Sequence, residues 1–267
     1  MMVCYCPAWA YFNRLGFCQL RRCIAHRAGF RRLVIACLII QIVIIAIDGP
    51  AGSGKSSTAK AVALRLGFEY LDTGAMYRAV ALHLLHLGAT VDNADLAGIL
   101  RSFDLDVVKV GGNARVMANG SDVTEEIRTP EVGTMASRIS SNGAIRAWMV
   151  DRQRSTAASM SSSGGIVVEG RDIGTVVFPD ADLKVYMDAR DEIRAERRLE
   201  ELRRQGVSWS LAAVRRDLAE RDARDLQREI APLRRADDAL VIDTSSLSFE
   251  QQVEQIVAAV HAVRSVR

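Results

Sequence analysis

The chain has 267 residues, with 35 basic and 32 acidic side chains, 49% apolar residues and 25% charged. That composition is globular, and with only 19 glycines and 5 prolines it excludes disordered, collagen-like and low-complexity chains. The net charge of +3 is unevenly placed: residues 1–41 hold six arginines and no acid, so the remaining 226 residues sum to −3, and the total is no argument for a nucleic-acid or membrane partner.

The same N-terminal stretch holds all five cysteines, Cys4, Cys6, Cys18, Cys23 and Cys37. Their spacing is not the paired C-x-x-C of a zinc site, and they read as reduced thiols. Leu33–Ile47 is apolar except for Gln41. A membrane helix needs about 20 apolar residues. Ile42–Ile47 is already claimed by a buried strand, which leaves Leu33–Gln41 too short to span. Arg31 and Arg32 ahead of it resemble a signal n-region, but no small-residue cleavage site can follow without cutting into the Gly-rich segment at 49. Residues 1–41 are therefore expected to be a disordered N-terminal extension.

From residue 42 strands and helices alternate. Ile42–Ile47 is a β-rich apolar run of the kind buried on both faces of a sheet. A Gly-rich loop follows, then Ser56–Leu66 with Ala59, Val62, Ala63 and Leu66 at helical spacing. Phe68–Leu71 reads as a second strand and Met76–Leu87 as a helix. Phe103–Val123 breaks the alternation: Asp104–Val110 and Ala114–Ala118 pair around Gly111-Gly112-Asn113, with Asn119-Gly120 as a further turn, which predicts a small antiparallel insert. Beyond Pro130 come helical patterns at Glu131–Ile139 and Ala144–Ala157, then a loop through Ser161-Ser162-Ser163-Gly164-Gly165. Strands are predicted at Ile166–Glu169, Leu183–Met187 and Leu240–Ile242, and helices at Asp191–Gln205, Leu211–Arg221 and Phe249–Val263. Alternating β and α over this length predicts an α/β fold with a five-stranded parallel sheet and right-handed crossovers.

The chemistry starts at Gly49-Pro50-Ala51-Gly52-Ser53-Gly54-Lys55-Ser56, a match to G-x-x-x-x-G-K-[ST] placed between a strand and a helix. Glycines let the loop wrap with its N–H groups inward, reinforced by the helix N-terminus. Lys55 would reach the β/γ-phosphates of a nucleoside triphosphate and Ser56 would hold Mg²⁺. No lysine follows an asparagine, so the N-K-x-D base-reading motif of a switch GTPase is absent, and no strand ends in the apolar run plus Asp-Glu of many motors. Instead, Asp72-Thr73-Gly74-Ala75-Met76-Tyr77-Arg78 and Glu169-Gly170-Arg171-Asp172-Ile173-Gly174-Thr175 stand at strand ends, where open α/β sheets bind ligands. Each offers Gly for close approach and Arg for a bidentate phosphate grip. In Glu220–Arg228, Arg221, Arg224 or Asp225, and Arg228 share one helical face, although a charge run of this kind is commonly a solvated surface. Arg190, Arg194, Arg197 and Arg198 invite the same solvated reading.

Taken in order, GPAGSGKSS, LDTGAMYR, EEIRTPEVGTMAS, VVEGRDIGTVVFPDADLKVYMDA and ERDARDLQREIAPL resemble the bacterial cytidylate kinases, from about Ile42 to the C-terminus. The resemblance implies a P-loop NTPase three-layer fold in residues 42–267, with core segments 42–99 and 141–267, a monophosphate-binding insert at about 100–140 and a helical lid at about 190–230. It implies transfer of the γ-phosphoryl of ATP to CMP or dCMP with Mg²⁺, in pyrimidine nucleotide metabolism, by a cytoplasmic monomer. The ATP side would comprise Gly49, Pro50, Ala51, Gly52, Ser53, Gly54, Lys55, Ser56 and Ser57, with Arg197. Thr73, Arg78, Arg171 and Arg228 would hold the acceptor phosphate. Ser137, Arg146 and Asp172 would read cytosine, and Arg221 and Asp225 would contact the ribose. A carboxylate suits the N4 amine of cytosine, while uracil would present a carbonyl there. Phosphoryl transfer needs alignment and charge stabilisation more than a base, so Lys55, Arg171 and Arg221 are the expected catalytic groups. Many relatives carry Ser where Thr73 stands. Two other readings stay open on the residues alone: an adenylate- or shikimate-type P-loop kinase, and a membrane-tethered nucleotide-binding regulator using Leu33–Ile47.

Overall fold

A computed structural model describes residues 42–90, 95–111, 113–160 and 164–265. The expectations for residues 1–41, and for the loop at Ser161–Ser163, lie outside the described residues.

Five parallel strands form the main sheet: β1 (Val43–Asp48), β2 (Glu69–Asp72), β6 (Gly165–Gly170), β7 (Leu183–Asp188) and β8 (Leu240–Asp243), in the order β2-β6-β1-β7-β8. Strand β1 is central because it is apolar on both faces. Ile45 and Ile47 pack with α1 (Lys55–Leu66) and α8 (Phe249–Ser265) through Ala59, Val62, Val253 and Ile256. Ala46 faces the opposite layer, where α2 (Thr73–His86) and α5 (Gly143–Met160) contribute Met76, Val80, Ile145 and Met149. The same period-two division sends Val167 of β6 to the first core and Ile166 and Val168 to the second. Helices thus cover both faces, as the sequence predicts. The predicted strands and helices are all present, with ends moved by a few residues.

One start and one end differ most. Helix α2 begins at Thr73 rather than Met76, because the Asp72 carboxylate accepts from Ala75 N at 2.9 Å and caps it. Helix α7 (Leu211–Gln227) runs past Arg221 to Gln227, with Ser210 as its N-cap.

The small antiparallel sheet is formed by β3 (Leu105–Val110), β4 (Asn113–Ala118) and β5 (Ser121–Asp122). Asn119 and Gly120 both have positive φ, 48° and 78°, as a tight turn with the twist of its strands requires. Leu105, Val107 and Val116 join the α2–α5 core together with Phe103, which stacks on His83. Helix α3 (Leu96–Ser102), which sequence reading missed, supplies Leu96 and Leu100 to that core. After a single 3₁₀ turn at Glu126–Arg128, α4 (Pro130–Ile139) starts with proline in its first turn and Thr129 as cap.

Helix α6 (Asp191–Arg204) pairs with α7 as a hairpin that has a core of its own: Ala195, Leu199, Leu202, Val214 and Leu218. Among the described residues, no helix is long and apolar enough to cross a membrane.

Candidate functional site

The strand order turns back at β1 and β6, so the carboxyl ends of these strands open a crevice, the place where doubly wound sheets bind ligands. A cleft of about 760 Å³ occupies it and runs from the phosphate loop to helices α4, α5 and α7.

The loop between β1 and α1 forms one end. Gly49 has φ 148°, and a Cβ there would lie 2.0 Å from the Met187 carbonyl oxygen of the neighbouring strand, so only glycine fits. Gly52 (φ 76°) lies directly under α6, where a Cβ would meet the Arg194 backbone oxygen at 2.9 Å. Ala51, Gly52, Gly54, Lys55, Ser56 and Ser57 line the cleft. Gly49, Pro50 and Ser53 are not on its wall and shape the loop from behind; Ser53 Oγ donates to Pro50 O at 3.0 Å. Lys55 is buried, and its Nζ donates to Pro50 O at 2.6 Å and to Ser53 Oγ at 3.3 Å. Burial pushes the Lys55 ammonium down, helped by Arg171, while Glu169 and Asp48 oppose that shift. Ser57 Oγ donates to Gly54 O, closing the first turn of α1.

Glu169, at the end of β6, stands next to this loop and is fully enclosed. Its Oε2 accepts from Ser56 Oγ at 3.0 Å and its Oε1 from the Tyr70 hydroxyl. Burial, reinforced by the Asp72 charge, pushes the Glu169 carboxyl well above the usual range. Ser56 Oγ and the Glu169 carboxylate are hard oxygen donors of the sort Mg²⁺ takes along with phosphate oxygens and water. Among the described residues, no cluster of three or more His, Cys, Asp or Glu could hold a metal unaided.

The other end of the cleft is a wall of arginines with the aspartates Asp172 and Asp225. Thr73 Oγ1 donates to Glu169 O at 2.7 Å, which ties α2 to the end of β6. Arg78 donates to Ile127 O at 3.2 Å. Burial lowers the Arg78 pKa to about 10, with Arg198, Arg221 and Arg128 adding to the shift and Asp72 opposing it, so these cations converge on one place. Arg171 Nε donates to Asp225 at 3.0 Å. Arg146, 2% exposed, pairs with Asp172 through Nη2 and reaches Ser140 O at 3.2 Å through Nη1. Arg228 lies 3.9 Å from Asp172 and 3.8 Å from Asp225. The Arg146 Nε and Arg228 Nη2 atoms are buried without a hydrogen-bond partner, as expected of donors awaiting a polar ligand. Ser137 Oγ accepts from Arg224 at 3.0 Å, and Arg221 pairs with Asp217. All nine residues assigned from the resemblance to the acceptor side line this one cleft.

Arg197 lies at the phosphate-loop end. Its guanidinium donates to Thr244 Oγ1 at 2.8 Å and to Thr244 O at 2.7 Å, which holds it beside the phosphate loop. The solvated reading of the α6 arginines fails for Arg194 and Arg198, only 6% and 9% exposed. Arg194 is drawn in because Ala51 O, Asp191 and Asp222 all accept from it; Arg198 pairs with Glu201. Only the companion Arg190 is exposed. Asp225 of α7 is likewise buried, and so is Arg228, which does not share the helical face expected of it because the chain turns extended at Arg228, the C-cap.

Sequence reading gave no role to Asp48, Tyr77 or Thr244. Asp48 closes β1, 5% exposed, and its two carboxylate oxygens accept from Ile173 N and Gly174 N, each at 2.8 Å. Burial raises its pKa to about 6 against the pull of those two donors. The signal that could have found it is its position, an acid at the end of a buried apolar strand.

Comparison with known proteins agrees with this geometry. A family model described as cytidylate kinase matches residues 45–262. A cytidylate kinase of Geobacter sp. (strain M21) is 46% identical over 213 residues, 79% of this chain and 90% of the relative. One of Salinibacter ruber is 46% identical over 220 residues, covering 82% and 97%. One of Desulfitobacterium hafniense (strain Y51) is 47% identical over 215 residues, covering 80% and 90%. With identity at this level spanning four-fifths of its length, and a cleft that joins a phosphate loop to an arginine-lined acceptor wall, the chain belongs to the cytidylate kinase family.

Proposed function

We propose that the protein transfers the γ-phosphoryl group of ATP to CMP or dCMP, giving CDP or dCDP and ADP. The observation that carries this reading is that one continuous cleft joins the Gly49–Ser56 loop to the Asp172–Arg146–Arg228 cluster. Phosphoryl transfer is alignment plus charge stabilisation, and the cleft is built for both. Lys55 and the loop N–H groups take the triphosphate, with Arg197 beside them. Ser56 and Glu169 are the oxygen donors that would hold Mg²⁺, whose charge offsets that of the β- and γ-phosphates. Thr73, Arg78, Arg171 and Arg228 grip the acceptor phosphate. Asp172 accepts from the cytosine amine, Arg146 and Ser137 donate to its ring acceptors, and Arg221 and Asp225 contact the sugar. Arg171 and Arg221 border both phosphate sites and stabilise the charge in transfer. Residues of about 100–140 serve as the monophosphate-side insert and about 190–230 as the lid, whose closure excludes water. The enzyme is read as a cytoplasmic monomer.

The test is an acceptor panel with ATP and Mg²⁺, monitored by ADP release, over CMP, dCMP, UMP, AMP and shikimate. CMP and dCMP should be turned over far faster than the rest. Faster turnover of AMP or shikimate would replace this reading by another P-loop kinase, and loss of turnover on chelating divalent cations is expected throughout.

A further inference from the structure

Asp172 occupies the N-cap position of the single π-helical turn Ile173–Val177, yet its side chain does not cap it. A helical N-terminus presents unpaired N–H groups and a partial positive charge, and an aspartate there ordinarily turns its own carboxylate back onto them. Here those donors are taken by a residue from another element. The Asp48 carboxylate accepts from Ile173 N and Gly174 N at 2.8 Å each, reaching across from the end of β1. The Asp172 backbone carbonyl meanwhile accepts from Val176 N at 2.9 Å and Val177 N at 3.2 Å, so the turn closes normally. Its side chain is left facing Arg146 and Arg228 in the cleft.

We propose that Asp48 is a positioning residue that caps the Ile173–Val177 turn in place of Asp172, and so keeps the Asp172 carboxylate directed into the acceptor site. The joint is closely packed. A Cβ on Gly170 would approach Thr73 Oγ1 to 2.6 Å and Ile173 Cδ1 to 2.7 Å, and one on Gly174 would lie 3.1 Å from Lys184 Cγ and 3.4 Å from Asp48 Oδ2. Asp48 immediately precedes Gly49, but its carboxylate bonds the Ile173–Gly174 joint that aims Asp172 and not the phosphate loop. When its carboxylate is lost, the Asp172 side chain, at the N-cap of the same turn, is expected to swing onto the vacated N–H groups.

This inference rests on the reading of the cleft as a CMP site. Asp48→Asn keeps the shape but turns an N–H₂ toward one of the two donors. Expected for this variant is a roughly 10- to 100-fold fall in the ratio of CMP to UMP kcat/KM, expressed mainly in the KM for CMP. ATP affinity, measured by calorimetry without acceptor, should not fall, since the lost charge is not a phosphate contact. The decisive arm is a double-mutant cycle: in an Asp172→Asn background, Asp48→Asn should change the CMP/UMP ratio by less than about twofold. Equal effects in both backgrounds, an unchanged ratio, or a parallel loss of ATP affinity each overturn the proposal. If Asp48→Asn does not fold, Asp48→Ser, which also removes the carboxylate that caps the turn, is judged by the same readouts and limits. Should the unmutated protein fail to phosphorylate CMP, it is the functional reading that falls, which the acceptor panel reveals before any variant is made.

Discussion

Replacing Asp172 by asparagine separates base recognition from stability, because the two effects have different signatures. The Arg146 and Asp172 side chains are 3% and 7% exposed, so the substitution removes the countercharge of an enclosed guanidinium. Breaking a buried pair outright costs about 3–5 kcal/mol. Here the amide oxygen still accepts, and Arg146 keeps Ser140 O and the Tyr77 hydroxyl as partners, so the cost should be nearer about 2 kcal/mol. A urea titration reads this directly. For the reaction, loss of a charge-assisted hydrogen bond to the cytosine amine is worth about 1.5–3 kcal/mol, or roughly a 10- to 150-fold drop in kcat/KM for CMP. Uracil gains instead, since the new N–H₂ faces its O4 carbonyl. Destabilisation lowers both substrates equally, so the CMP/UMP ratio of kcat/KM, from ADP release at saturating ATP, isolates base reading. A fall of about a hundredfold in that ratio is expected. If both activities drop together and the ratio holds, Asp172 does not read the base.

Three further outcomes follow from the donor side. Gly49→Ala puts a Cβ 2.0 Å from the Met187 carbonyl oxygen at φ 148°, and should destabilise the fold by about 3 kcal/mol or more, measured by denaturant unfolding. Burial pushes the Lys55 pKa down, so between the lowered value and the ordinary one the folded chain holds fewer protons than the unfolded chain. The contribution of Lys55 to stability therefore rises with pH across that window in the nucleotide-free protein, and Lys55→Met should flatten the rise while abolishing turnover. Thr244→Val removes the hydroxyl that accepts from Arg197, and should raise the KM for ATP by roughly tenfold while leaving the KM for CMP unchanged.

The fold was legible where one physical rule dominated. Ile45, Ala46 and Ile47 are buried on both faces of a parallel strand, and uninterrupted apolar runs of that kind have few other uses. The phosphate loop was legible because Gly49, Gly52 and Gly54 all stand at positive φ, and at Gly49 and Gly52 a Cβ would also collide with neighbouring backbone. Helix α3 was missed because, in a seven-residue helix, Gly98 and Ser102 dilute the short pattern carried by Leu96, Ile99 and Leu100. The start of α2 was missed because Thr73-Gly74 reads as a turn until Asp72 is seen to cap it. Within the site, the arginines of α6 illustrate the limit. Arg190 and Arg194 look alike in sequence, but only Arg194 meets the Ala51 carbonyl and Asp222, partners supplied by segments 143 and 28 residues away. Asp48 is a case of the same kind, since its partners lie 125 and 126 residues along the chain.

The α6–α7 hairpin is held together and held in place by different forces. Internally it is oily, with Ala195, Leu199, Leu202, Val214 and Leu218 shut away from water. Externally, Arg171 reaches Asp225 of α7 at 3.0 Å, Arg224 reaches Ser137, and Arg194 spans from α6 to the Ala51 carbonyl. Of these three attachments only Arg171–Asp225 joins two charges, so salt screens that one and spares the apolar core. Raised ionic strength therefore slackens the hairpin at a single point, while the hydrogen bonds from Arg224 and Arg194 to neutral oxygens keep it docked.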